Sequence, residues 1–374
     1  MRILAVATNP ETGASTRFRV LQWAPVLERE GFSLAVEPFY SPRASAVLYR
    51  RGRPLGKLSH FIRGAIRRRA VLARASTEAE ILLIHREAFP LGLRWSLGAV
   101  KRFGGPLLYD YDDAMFVPQR QGRGVLARLE HLDTPKELMA LSDVVLAGNE
   151  FLAAYARRYA RRVVLLPTCI DTARFRPGPA SEPDGRPLTI GWIGSHSTTK
   201  YLESVKPVLE RLGAGLPFRV SIVGSAVPLR LRGVEVSQTA WALEREAEDF
   251  ARCDIGVYPL WDDPWSQGKC GFKAIQFMAC GVPVVASAVG ANREIIQDGV
   301  NGFLAATRQE WLEKLGRLLT DAALRARLGE AGRRTIEERY SLAAQAPRLV
   351  GALREALTNH RSTETVPQKH REEQ

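Results

Sequence analysis

Between Gly268 and Leu304 the chain reads GKCGFKAIQFMACGVPVVASAVGANREIIQDGVNGFL, and this stretch gathers the residues best suited to hold an anion. Phe272 to Cys280 has good helix formers and few turn residues, which predicts a short helix opening just after Gly271. Gly281 and Pro283 stop it. Val284 to Ser287 is a short apolar run with β-branched residues and predicts a buried parallel strand, with Gly290 opening the loop behind it. Asp298-Gly299 and Asn301-Gly302 are turn pairs. A loop that enters a helix at the C-terminal edge of a parallel sheet aims unpaired N–H groups and a positive dipole end outward, which suits a phosphate. Lys269 and Lys273 flank that helix start. Gln276, one turn on, offers an amide that both donates and accepts, as neighbouring sugar hydroxyls would need.

Other chemistry-bearing residues fall at predicted strand ends. Leu188 to Ile193 is a strand followed by Gly194, Ser195, His196 and then Lys200, a loop of small donors leading into a helix. Glu80 to His85 and Leu107 to Tyr111 are strands that end in His85 and in the cluster Asp110, Asp112, Asp113. Ligands of open α/β sheets bind at such ends. His85 reads more readily as a wall residue than as a substrate contact, and three carboxylates raise the possibility of Mg²⁺. Asp262 and Asp263 suit a turn better than a sugar hydroxyl. Glu294 enters a short helix, where it would complement the dipole.

The elements that must position these residues read in order. Ile3 to Thr8 is a strand, a helix runs on to about Arg29 with Val20, Trp23, Ala24 and Leu27 at helical spacing, and Phe32 to Phe39 is a second strand, so the chain opens with a βαβ unit. Arg17 and Arg19 stand near that helix start. Ser142 to Gly148 and Val163 to Pro167 are strands, with Asn149 as a helix cap between them. Residues 178–187 have loop composition. Arg219 to Gly224, Val234 to Ser237 and Asp254 to Leu260 are strands of a second domain, with a helix over Trp241 to Ala251. Trp311 to Tyr340 and Ser341 to Leu357 are helical. The polar composition after Thr358 predicts disorder.

FMACGVPVVAS, VGANREII and DGVNGFL, with PTCIDTARFRP at Pro167 to Pro177, resemble the retaining family 4 (group 1) glycosyltransferases of GT-B fold. The resemblance implies an α/β architecture of two Rossmann-like domains facing each other across a cleft, with the last helix crossing back to the first domain. The boundaries read as 1–177 for an acceptor-binding domain, 178–187 for a linker, 188–340 for a nucleotide-sugar domain, 341–357 for the crossing helix and 358–374 for a tail. It implies transfer, with retention, from a nucleotide-diphosphate sugar to a hydroxyl acceptor, a glycan or lipid-linked glycan of the cell envelope. Lys200 and Lys273 would neutralise the diphosphate, helped by Gly194, Ser195 and Lys269. Gln276 would meet the ribose, Glu294 would lie near the donor, and His85 and Asp112 would face the sugar. The family's paired glutamates are here Gly268 and Gln276, which motivates an alternative: an inactive sugar-binding or scaffolding subunit. A nucleotide-sugar epimerase ranks lower, lacking placeable acid and base carboxylates. Relatives hold the diphosphate with basic residues and helix ends, so neither metal nor cofactor is expected.

The 374 residues suit two domains, and the charge of +13 calls for an anionic partner. No nucleic-acid module is recognisable. Between Pro38 and Thr77 there is no Asp or Glu, whereas Arg43, Arg50, Arg51, Arg53, Lys57, Arg63, Arg67, Arg68, Arg69 and Arg74 accumulate. With Leu58, Phe61, Ile62, Ala65 and Ile66 as an apolar stripe, residues 43–74 predict a basic amphipathic helix that could lie on an anionic membrane. Cys169, Cys253, Cys270 and Cys280 lack metal-ligand spacing and imply reduced thiols. A cytoplasmic protein is expected, peripheral at the inner face of the membrane.

Overall fold

The computed structural model describes residues 1–48, 52–90, 95–118, 132–178, 186–195, 198–225 and 227–364. The chain divides into two compact units, 1–167 with 346–374, and 168–345. The first is built on β1 (Arg2–Ala7), β2 (Ser33–Pro38), β3 (Ile81–His85), β4 (Leu107–Tyr111), β5 (Val144–Ala147) and β6 (Val163–Leu165), all parallel, in the order β2-β1-β3-β4-β5-β6. The second is built on β7 (Leu188–Ile193), β8 (Phe218–Val223), β9 (Glu235–Thr239), β10 (Ile255–Tyr258), β11 (Val284–Ser287) and β12 (Phe303–Ala305), parallel in the order β12-β11-β10-β7-β8-β9. Central strands such as β3 and β11 are buried at every position, as continuous apolar runs covered by helices on both faces must be.

Several elements differ from the sequence reading. The helix expected up to Arg29 is three pieces, Ala14–Arg19, a 3₁₀ turn at Leu21–Trp23 and Ala24–Arg29, because Pro25 cannot donate within a continuous helix and instead opens a new one. Only Glu246–Ala251 of the expected Trp241 to Ala251 helix forms. The run from Trp311 to Tyr340 breaks at Asp321, whose carboxylate accepts from the Leu324 N–H at 2.9 Å and caps Ala322–Arg339. The last helix spans Leu342–Glu364, past the point where a tail was expected; 365–374 lie outside the described residues.

Contacts divide the chain at Pro167, ahead of the boundary read from composition. Arg333 explains why 168–177 joins the second unit: it donates to the Phe175 carbonyl and, at 3.0 Å, to that of Thr172, while the Phe175 ring meets Phe250 at 6.1 Å.

Candidate functional site

In the second unit the strand order reverses between β7 and β10, and ligands of open parallel sheets bind outside the carboxyl ends of the strands at such a point. The loops leaving both strands converge there. The Lys200 ammonium lies 4.9 Å from the Trp261 ring centroid and 5.1 Å from that of Tyr201, and the two rings meet edge to face at 5.0 Å. Tyr201 is buried, whereas Trp261 is 44% exposed, so an open indole face stands beside a cation. Ser195 closes a turn, its N–H donating to Thr198 Oγ1 at 3.0 Å while the Thr198 N–H donates to the Ser195 carbonyl at 2.9 Å. Glycine is required at 194: a Cβ there would lie 2.6 Å from the Trp192 ring and 2.7 Å from Thr198 Oγ1. His196 lies outside the described residues.

The helix Phe272–Ala279 starts where expected, from Gly271 at φ +64°. A Cβ at Gly271 would run into the Ile295 side chain, so glycine lets this helix start press against the helix Asn292–Ile295. Ahead of it Asp263 accepts from the Ser266 N–H at 2.7 Å and caps Pro264–Gln267. Lys273 Nζ donates to Gln276 Oε1 at 3.0 Å. Gln276 is fully buried and its Nε2 has no partner; Asn292 is the same, its Nδ2 donating to the Ser287 carbonyl at 2.9 Å while Oδ1 is unmatched. Each buried unmatched polar group costs about 1–3 kcal/mol. Lys269 Nζ lies 5.2 Å from the Trp265 ring. Glu294 is exposed, and its carbonyl accepts from the Tyr340 hydroxyl at 3.3 Å.

The first unit has its own strand-end cluster. Parallel pairing sets His85 opposite Asp110, and His85 Nδ1 lies 2.7 Å from Asp110 Oδ2 while Nε2 lies 3.2 Å from Ser15 Oγ. Arg19 forms an ion pair with the same carboxylate and donates to the Leu166 carbonyl at 2.6 Å. Burial alone would raise the Asp110 carboxyl, but Arg19 and His85 outweigh burial and hold it below the ordinary value. One residue on, Arg86 sits at φ +65° and donates to Asp112 at 2.6 Å and to Asp113 at 2.5 Å. Asp112 is likewise driven low, burial being overcome chiefly by Arg86. Arg17 donates to the Glu11 carbonyl at 2.8 Å. With Asp110, Asp112 and Asp113 all paired to arginines, no group of metal-ligating side chains forms among the described residues.

The structure therefore brings Lys273 to Gln276 and His85 to Asp110, whereas Asp112 belongs to a separate contact with Arg86. Sequence reasoning missed Trp261 as a neighbour of Lys200 and Arg86 as the holder of Asp112 and Asp113. The second was within reach: aligning the ends of β3 and β4 in parallel puts His85-Arg86 beside the acidic run.

A sequence model of the family described as glycosyl transferases group 1 matches residues 187–321. The chain is 27% identical over 287 residues to a D-inositol 3-phosphate glycosyltransferase of Stackebrandtia nassauensis, covering 64% of this chain and 63% of that protein. Its counterpart from Frankia alni is 38% identical over 278 residues, covering 64% and 66%. The chain thus spans less than two thirds of the length of these curated relatives. Among solved structures, sucrose-phosphate synthase from Thermosynechococcus elongatus superposes with a TM-score of 0.70 at 19% identity, covering 96% of this chain and all of that one. Anabaena Alr3699/HepE in complex with UDP-glucose gives 0.67 at 16% identity, covering 95% and 99%. At such identities the likeness establishes the fold, which is GT-B.

Proposed function

We propose, from the premise that this chain belongs to the group 1 glycosyltransferases of GT-B fold, that it moves a sugar from a nucleotide-diphosphate donor to a hydroxyl acceptor with retention of configuration. The observation that carries the reading is the Gly271-opened helix with Lys273 held against the half-satisfied amide of Gln276. A helix start of this kind, with a lysine at its second position, stabilises the charge that grows on a departing diphosphate. Lys200 adds a second cation at the β7–β10 reversal, and Trp261 a flat face for a ring of the donor. Retention follows if the leaving phosphate takes the acceptor proton on the same face, so the protein's work is to orient both substrates. His85, fixed by Asp110, and Asp112, shared with Arg86, are assigned to the sugar side. The acceptor is a glycan or lipid-linked glycan of the cell envelope.

The test is donor hydrolysis and transfer by the purified protein across UDP-, GDP- and ADP-linked sugars, with inositol 3-phosphate, the compound in the names of the two relatives, among the acceptors tried. Lys273→Ala is expected to lower turnover at least about 100-fold, the usual scale for removing one charge-stabilising group. No turnover with any donor, together with donor binding that survives, would move the protein to the sugar-binding scaffold class, and an inverted product would refute retention.

A further inference from the structure

The helix Pro54–Glu78 runs for 25 residues. Its inward face is pinned. Gly64 lies against the Phe39 ring so closely that a Cβ would come within 2.6 Å, Phe61 and Ala65 rest on the cluster of Phe39, Tyr40, Ala44 and Phe89, and Val71, Leu72 and Ala75 are buried. Arg68, expected among the surface charges, is also buried, donating to the carbonyls of Ala88, Ala7 and Glu37 at 2.6, 2.7 and 2.8 Å. Burial pushes its pKa down to about 9, with Arg67 adding to the effect, so the guanidinium stays charged at neutral pH, held by three carbonyls.

With that face fixed, the apolar stripe read from the sequence splits. Phe61 and Ala65 turn inward. Leu55, Leu58, Ile62 and Ile66 stand outside at 81%, 54%, 48% and 67% exposure. Their spacing of three, four and four residues makes one row about 16 Å long. Arg69 continues the row, and exposed Arg63, Arg67 and Arg74 lie about a quarter to a third of a turn to one side. Arg67 reaches the Pro38 carbonyl and Arg74 pairs with Glu78 at 3.4 Å. No acidic residue occurs from Pro38 to Thr77. Arg50 and Arg51 lie outside the described residues. Elsewhere exposed large apolar side chains, such as Phe151 and Val227, stand apart from one another in the sequence.

We propose that this outer face docks the protein on an anionic lipid bilayer, Leu55, Leu58, Ile62 and Ile66 entering the acyl boundary while Arg63 and Arg69 meet the head groups. The charge pattern selects this occupant. An aliphatic row beside a basic row that meets no acid before Glu78 matches an apolar layer under an anionic plane, whereas a second copy of the chain would bring two such basic faces together. The proposal is independent of the sugar-transfer reading, because it rests on a helix of the first unit, whereas the candidate donor residues belong to the second.

The test is flotation of the full chain with vesicles of phosphatidylcholine alone or mixed with phosphatidylglycerol. Wild type is expected to float only with the anionic vesicles. Ile62→Ser with Ile66→Ser, and separately Arg63→Gln with Arg69→Gln, should each lower the bound fraction by about tenfold or more, with the melting temperature and donor hydrolysis without lipid unchanged. Failure of wild type to float, or undiminished binding by the apolar double variant, overturns the proposal. So does wild type that dimerises in solution through Ile62 and Ile66 and ignores vesicles, which would make the face a self-association surface. Changing Arg67, Arg68 and Arg69 together would be uninformative, since Arg68 is part of the core.

Discussion

Gln276 can be separated from an ordinary core residue because it is fully buried with one amide atom bound and the other unmatched. Gln276→Leu keeps the side chain about the same size, removes the acceptor of Lys273 and also removes the unmatched Nε2. The two stability effects oppose one another, so thermal unfolding should change by no more than about 1 kcal/mol, while donor affinity measured by titration calorimetry should fall about tenfold or more. Unchanged affinity would reduce Gln276 to packing. Asp110 is tested by acid. Its folded-state carboxyl lies below the ordinary 3.8 because Arg19 and His85 outweigh burial, so the unfolded chain takes up the proton first as pH falls. The stabilisation is therefore whole above about pH 4 and disappears as pH drops through the folded value. A melting temperature followed from pH 7 to pH 2 should hold level and then decline, with the decline shallower in Asp110→Asn and its plateau lower. Residue types at these sites were legible in the sequence. Their partners were not read, although aligning β3 with β4 in parallel already brings His85 and Arg86 to the acidic run; which carboxylate each one meets is fixed only by the register that sets His85 opposite Asp110.

Strands were the most legible elements, because a strand buried on both faces announces itself as a short apolar run. The helices were less so. A periodic pattern survives a break, and it took Pro25 and Asp321 acting as starting residues to divide what the spacing joined. Glycines mark a further limit, since their role depends on what packs above them. Gly329 in the helix Ala322–Arg339 touches the turn at Gly281: a Cβ would collide with the Gly281 carbonyl, which is backbone and cannot swing aside. Gly351 in the helix Leu342–Glu364 has nothing within 4 Å of its Cβ position. Gly329→Ala should thus cost about 1–3 kcal/mol through overpacking, whereas Gly351→Ala should gain up to about 1 kcal/mol from helix propensity. Urea unfolding of the two variants checks both signs, and equal effects would mean that the contact at Gly281 does not hold the helix.

The molecule as a whole is divided unevenly along the chain. The second unit is one continuous segment, 168–345, whereas the first is completed only by residues from Ala346 onward. In that last helix Leu349, Val350, Ala352, Leu353 and Ala356 are buried. Its polar side chains tie it to distant parts of the first unit: Arg354 to Glu30 at 2.8 Å, Glu355 to Arg162 at 3.0 Å and His360 to the Gly104 carbonyl at 2.8 Å. Burying Leu349, Val350 and Leu353 alone is worth roughly 5–8 kcal/mol, comparable to the whole stability of an ordinary domain. The two halves should therefore behave differently when cut apart. A fragment of 168–345 is expected to unfold cooperatively and to melt higher in the presence of the nucleotide diphosphate that the full chain binds. A fragment of 1–167 should lack a cooperative transition until a peptide of 346–364 is added, because without it an apolar surface the size of a small core is left in water. Circular dichroism melts of each fragment decide the matter. Cooperative unfolding of 1–167 by itself would mean that the last helix decorates the first unit, whereas rescue by the peptide would make the chain's far end a condition for folding its beginning.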